Sequence, residues 1–234
     1  MSTFKGVTIT WLGHSTVLVQ TAKGTNVLID PFMAHNPTYP KGFALPEKIH
    51  YILVTHGHMD HMADAVPVAE RLGSTVVAIY ELANYLAKKG AKSTIGMNLG
   101  GTVQLDDVAA TMVEAKHSAG VQDEEGEHYA GVAAGYVLTI EGGPVLYHAG
   151  DTAVFSDMKL IGELYKPELA MLPIGGHFTM GPKEAAYALK LLGIKKVLPL
   201  HFGTFPLLKG TPQQLAALVG EKVEVVQISP GGTI

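Results

Sequence analysis

The segment Thr55-His56-Gly57-His58-Met59-Asp60-His61 constrains this chain more than any other stretch. It follows an apolar run, Ile49 to Val54, suited to a buried strand. In extended backbone, residues two apart point to the same side, so His56 and His58 present their rings together. A chain turning into a helix after His61 brings Asp60 and His61 over the same spot from a second direction. One histidine here would be read as a loop residue, and Asp60 alone as a helix N-cap. Three imidazoles and a carboxylate within six residues suit zinc or another first-row divalent ion instead.

Composition narrows the ligand set. Cysteine is absent and histidine occurs 11 times, so a metal must be held by imidazole and carboxylate. The same absence excludes a disulfide framework, a thiolate site and a thiol nucleophile. Seventeen Lys and Arg against 21 Asp and Glu leave a net charge of −4, which gives no basic footprint for nucleic acid. Charged residues are only 16% and hydrophobic ones 47%, enough for one sizeable core and a lean toward self-association. The longest uncharged run, Gly6 to Ala22, carries Thr8, Thr10, His14 and Gln20. It is too polar to span a membrane or to act as an export signal, so a cytoplasmic protein is expected.

Short β-branched segments at Val7–Leu12, Thr16–Gln20 and Asn26–Asp30 predict three strands. A Pro-rich loop, Pro31 to Pro46, precedes the strand at 49–55, and its aromatic residues can either cover a site or pin the loop down. Helices are predicted at 64–72 and 81–89 with a strand at 75–79 between them. Further strands fall at 102–105, 109–115, 131–140 and 145–148, then a helix at 158–165 and a strand at 169–172. Gly181 to Leu192 is the clearest helix, with Pro182 in its first turn. A strand at 196–200, a helix at 211–219 and a strand at 223–228 follow. Strands, then alternating strands and helices, twice over, suggest two sheets stacked inside helices, in a single domain spanning 1–234.

The signature His-x-His-x-Asp-His resembles that of the metallo-β-lactamase superfamily, most closely its small cytoplasmic hydrolases of the ascorbate-phosphate lactonase-like branch. The likeness extends through Trp11-Leu12-Gly13-His14, Lys116-His117-Ser118, His148-Ala149-Gly150-Asp151-Thr152 and Leu200-His201-Phe202, in the family's order. It implies an α/β fold, the αββα sandwich, two mixed sheets flanked by helices with metals at one sheet edge. It further implies that His56, His58 and His117 hold one ion, that Asp60, His61 and His201 hold a second, and that Asp151 bridges. Two divalent ions are implied, zinc foremost, with manganese, nickel or iron compatible with the same ligands.

The implied chemistry is hydrolysis by a hydroxide shared between ions about 3.5–4 Å apart, on a small ester, lactone or phosphodiester. The residual positive charge favours an anionic or polarised substrate, and Asp60 would orient the nucleophile and take its proton. Asp30, ending an apolar strand before Pro31, reads either as a strand-end turn residue or as a partner for a ligand's second nitrogen. His14 lies near the metals in the resembling family, as a substrate contact or a structural hydrogen bond. His177 stands where the related hydrolases carry an acidic residue, so it offers an extra proton donor or metal contact. His148 is read as core or as a partner behind a ligand rather than a ligand itself, His35, His50 and His128 as solvated loop residues, and 123–127 as a solvated turn. The Gly-Gly pairs lack the strand–Gly-x-Gly-x-x-Gly–helix context of dinucleotide binding. Intact His58 speaks for hydrolysis over diiron redox chemistry. A metal-stabilised binding protein without turnover is the alternative.

Overall fold

In the computed structural model, which describes residues 4–234, the β-branched runs of the first third pair as an antiparallel meander. These are β1 (Thr8–Trp11), β2 (Val17–Gln20) and β3 (Asn26–Ile29), with Trp11 opposite Val17 and Val17 opposite Ile29. Pairing then turns parallel through β4 (Tyr51–Leu53), β5 (Thr75–Ile79) and β6 (Thr94–Met97), completing a six-stranded sheet. Helices α1 (Met59–Met62) and α2 (Ala65–Leu72) connect β4 to β5, and α3 (Tyr80–Lys88) connects β5 to β6.

The second half repeats the scheme. Strands β7 (Thr102–Leu105) and β8 (Val108–Glu114) are followed by a separate hairpin, β9 (Val121–Asp123) and β10 (Gly126–His128). Strands β11 (Ala134–Ile140) and β12 (Val145–His148) extend β8 antiparallel. Helices α4 (Met158–Tyr165), α5 (Pro182–Leu192) and α6 (Pro212–Val219) are the crossovers to parallel strands β13 (Leu169–Pro173), β14 (Lys196–Leu200) and β15 (Glu224–Val225). The result is a seven-stranded sheet ordered β15-β14-β13-β12-β11-β8-β7.

Period-2 alternation sorts the side chains of this sheet into two cores. Tyr136, Leu138, Leu146 and Met171 meet Ile9, Leu28, Ile52 and Val76 of the first sheet, and Val68 and Leu82 cover that sheet from α2 and α3. Val137, Tyr147, Ala170 and Leu172 point the other way, onto Met158, Ala185, Leu189 and Leu215 of α4–α6. Four layers follow, helix–sheet–sheet–helix. The Tyr136 hydroxyl crosses the sandwich to the carbonyls of Val54 and Val77, at 3.1 and 3.2 Å. Among the described residues no helix is long and apolar enough to cross a membrane.

Several details depart from expectation. Strand β6 is hidden in sequence by Gly96, which the sheet needs because Tyr80 lies within about 3.1 Å of where a Cβ would sit. The 223–228 strand shrinks to two residues. The tail beyond it instead pairs with β1, Ile9 and Ile234 exchanging both backbone hydrogen bonds. The 123–127 turn is the tip of the β9–β10 hairpin. His128 lies in that hairpin, and His50 accepts a hydrogen bond from Asn26 N, so neither is a free loop residue, whereas His35 is exposed. In the Pro-rich loop, Tyr39 and Phe43 line a separate cavity with Arg71; Phe32 reaches the histidines, edge-on to His14.

Candidate metal centre

The ligand-bearing residues all leave strands at one edge of the sandwich. His56 and His58 follow β4, Asp60 and His61 sit on α1, and His117, Asp151 and His201 follow β8, β12 and β14. Three residues just past strand ends, His14, Asp30 and His201, hold left-handed backbone with φ of 53°, 48° and 53°. Each turn costs about 1–2 kcal/mol and swings a side chain back over the sheet edge. Before Asp151 the same task falls to Gly150, at φ 61°, where a Cβ would lie 2.5 Å from the Ala134 carbonyl.

The structure brings all seven predicted ligands together. Donor atoms of His56, His58 and His117 lie within 4.8 Å of one another, as do those of His14, Asp60, His61 and His201, and those of His56, His61 and Asp151. Asp151 is central: its Oδ2 is 3.3 Å from His61 Nε2, 3.1 Å from His201 Nε2 and 3.6 Å from His117 Nε2.

Behind them, buried Asp30 sets the proton positions. Its Oδ1 accepts from Thr55 N at 2.8 Å, and its Oδ2 accepts from His61 Nδ1 at 2.7 Å and from Thr55 Oγ1 at 2.8 Å. Thr55 Oγ1, having donated to Asp30, is free to accept from His56 Nδ1 at 3.0 Å. One carboxylate thus holds two imidazoles with Nδ1 turned inward and Nε2 facing the cluster, His61 directly and His56 through a hydroxyl. Partners of this kind are usual behind metal-ligating histidines. Asp30 was legible in sequence; the part played by Thr55 was not, although it adjoins the signature.

These residues fit a cation. His61 Nε2, both ring nitrogens of His201 and Asp151 Oδ1 are buried with no hydrogen-bond partner among the described residues. His61 Nε2 and His201 Nε2 stand 3.3 and 3.1 Å from Asp151 Oδ2 without hydrogen-bond alignment. The charges agree. Burial opposes ionisation of Asp151, yet the imidazoles of His201 and His61 outweigh it and hold the carboxyl well below the usual range. Burial likewise opposes ionisation of Asp60, and His61 with the hydrogen bond from His14 overcomes it. Against burial, the surrounding carboxylates raise His61 and push His201 up to about 9. Burial lowers His56, His58 and His117. Negative charge in excess of what the protein neutralises, ringed by imidazoles, is what a divalent ion satisfies.

His14 stands behind Asp60 rather than at the surface. It is fully buried, its Nε2 donates to Asp60 Oδ2 at 2.9 Å, and its Nδ1 accepts from Thr204 Oγ1 at 2.9 Å. Burial pushes it down to about 4, so it is neutral. Of the two roles considered for it, the geometry is that of the hydrogen bond, because no atom of His14 lines the cavity. His177 is not brought in either: it is exposed in a left-handed turn, and its neighbour Phe178 faces the cluster instead. His148 is core, donating through Nε2 to Ser15 O. The mouth of the centre is a cavity of about 350 Å³ lined by His58, Asp60, His117, Asp151, His201, Ser118 and Phe178.

A four-layered sandwich with a His/Asp cluster at one edge is the architecture of the metallo-β-lactamase fold, and comparison with known proteins agrees. The family model described as "Beta-lactamase superfamily domain" matches residues 25–202. A UPF0173 metal-dependent hydrolase of Koribacter versatilis is 49% identical over 229 residues, covering 98% of both chains. Its counterpart in Rubrobacter xylanophilus is 47% identical over 97% of this chain and 95% of that one. Among solved structures, a metallo hydrolase from Ignicoccus hospitalis superposes with a TM-score of 0.85, at 34% identity and 97% coverage of each chain. The chain therefore belongs to the β-lactamase superfamily and, within it, to the UPF0173 metal-dependent hydrolases.

Proposed function

We propose that this protein is a binuclear hydrolase, zinc-loaded, acting on a small ester, lactone or phosphodiester. His56, His58 and His117 would hold one ion and Asp60, His61 and His201 the other, with Asp151 between them. The observation that carries this reading is the gathering of imidazole and carboxylate donor atoms within 4.8 Å of one another, with His61 Nε2 and His201 Nε2 buried, without hydrogen-bond partners among the described residues, and 3.3 and 3.1 Å from Asp151 Oδ2. Bound divalent ions supply a water of lowered pKa and polarise a carbonyl or phosphoryl oxygen.

The chain's own residues do the rest. Asp60 is the partly exposed carboxylate of the cavity, with Oδ2 tied back by His14. Its Oδ1 is left to accept a hydrogen bond from the attacking water and to receive its proton. Thr204 and His14 fix that carboxylate from behind, so its orientation is set before substrate arrives. Phe178 gives the cavity an apolar wall that limits competing water.

Elemental analysis should find two equivalents of a transition ion per chain. Lactones, thioesters and phosphodiesters assayed with and without chelator should show metal-dependent cleavage, and Asp60→Asn brought to full metal occupancy should have lost turnover. Turnover retained in that variant refutes the role of Asp60. Full occupancy with silence across a wide panel refutes the enzyme and leaves a metal-stabilised binding protein.

A further inference from the structure

A second depression, of about 470 Å³, adjoins the metal cavity and shares His58 and Ser118 with it as wall. Its far side is the β9–β10 hairpin, which contributes Gln122, Glu127, His128 and Tyr129. The hairpin is not a loose flap. Asp123 anchors it to α3 through Tyr85 Oη at 2.7 Å and to Lys89, the residue after that helix, through Nζ at 2.8 Å, and His128 Nε2 closes the same carboxylate at 2.8 Å. Its base rests on the metal signature itself: a Cβ on Gly57 would lie 2.6 Å from Val121 Cγ2 and 2.7 Å from the Ala119 carbonyl. Gly57 has ordinary backbone, so it is a glycine because the hairpin packs on it.

Neither depression is lined by a lysine or arginine. The nearest basic side chain in sequence, Lys116, pairs with Glu114. The outer cleft is instead lined by Glu127 and Tyr129, both exposed, an acidic and an aromatic residue of the types that accept ammonium groups. Resting on the hydrolase reading above, we propose that the hairpin is the specificity element for the non-reacting end of the substrate. That end carries no negative charge, and a positively charged amine is preferred. The positive charge of the ions then serves only the reacting oxygen. A carbonyl substrate is selected over a phosphodiester, whose anionic group lacks a basic clamp.

The test is a charge swap. Phenyl acetates bearing a para trimethylammonium, hydrogen or carboxylate group are assayed on the zinc-loaded wild type, Glu127→Lys and Glu127→Gln. The matching benzohydroxamic acids, which bind metal without turnover, are titrated calorimetrically on the same proteins. Taking each variant's ratio of cationic to anionic probe relative to wild type cancels differences in leaving-group reactivity. Glu127→Lys should lower that ratio about thirtyfold at low salt, because reversing one charge about 8 Å away in a water-like dielectric moves each probe about sixfold and the two probes in opposite directions. Glu127→Gln should give about half the effect in free-energy terms, and both effects should shrink with salt. Glu124→Lys, on the exposed tip outside the cleft, should leave the ratio alone. A Glu127→Lys ratio within experimental error of wild type, or matched by Glu124→Lys, overturns the proposal. No cleavage of any ester with the calorimetric ratio still shifting refutes the hydrolase reading and upholds the cleft's selectivity.

Discussion

Asp30→Asn changes one atom in the most buried carboxylate behind the centre, and its consequences can be followed bond by bond. The backbone N–H of Thr55 is fixed by the β4 strand end and must keep an acceptor at Oδ1. The new amide nitrogen then takes the place of Oδ2. It can donate to Thr55 Oγ1, but it confronts the Nδ1–H of His61 that Oδ2 accepted at 2.7 Å. His61 must move its proton to Nε2, the atom 3.3 Å from Asp151, and so lose its lone pair toward the ions. Flipping the amide only transfers the clash to Thr55 N. The loss of a partner behind a ligand typically costs 10–100-fold in metal affinity, or about 1.4–2.7 kcal/mol. The ion held by Asp60, His61 and His201 should bear most of it, and the other ion, reached through Thr55 and His56, less. A competition titration against a chromogenic chelator reads the two affinities, and ring nitrogen NMR of His61 reads the proton's position. Two affinities within twofold of wild type, or a proton still on Nδ1, would show that Asp30 does not set the tautomer.

Gly57→Ala should destabilise the fold by about 1–3 kcal/mol through overpacking, and limited proteolysis should then find the β9–β10 hairpin cut faster than in wild type. Metal loading has to displace the proton that His201 holds up to about 9. Apparent affinity should therefore rise with pH until about pH 9, roughly tenfold per unit for that proton; a flat profile between pH 6 and 8 would contradict it. His148 is lowered from 6.5 by burial, so the unfolded chain binds its proton first. Stability of chelator-treated protein should be independent of this group above pH 6.5 and should fall below it, by about 1.4 kcal/mol per unit per proton. His148→Gln should flatten that slope in denaturant titrations run at pH 5 and pH 7.

The repeated strand pattern, the helix behind Pro182 and the strand-to-helix turn at His56–His61 were all readable because each depends on neighbours within a few positions. The order of short motifs likewise pointed to seven residues that the structure gathers at one sheet edge. The failures lie where local pattern is weak or misleading. Gly96 disguises a strand that the sheet tolerates for the sake of Tyr80. The hairpin strands are three residues each and largely polar, so only their turn stood out. The last residues looked like a tail and are the partner of β1.

By itself, the chain's order of residues determined which atoms are available: imidazoles and carboxylates without thiols, grouped at strand ends, in alternations that commit each sheet to one buried face or two. It could not determine which of those atoms carry protons. That was decided by contacts between segments far apart in sequence, Asp30 with His61, His14 with Thr204 and Asp60, and His117, Asp151 and His201 with one another. Pairing β3 with β4 sets a carboxylate 31 positions from His61 at 2.7 Å from its ring, and stacking the second sheet then brings in His117, Asp151 and His201. Periodicity is a property of neighbours in the chain, whereas tautomer, charge and cleft shape are properties of neighbours in space.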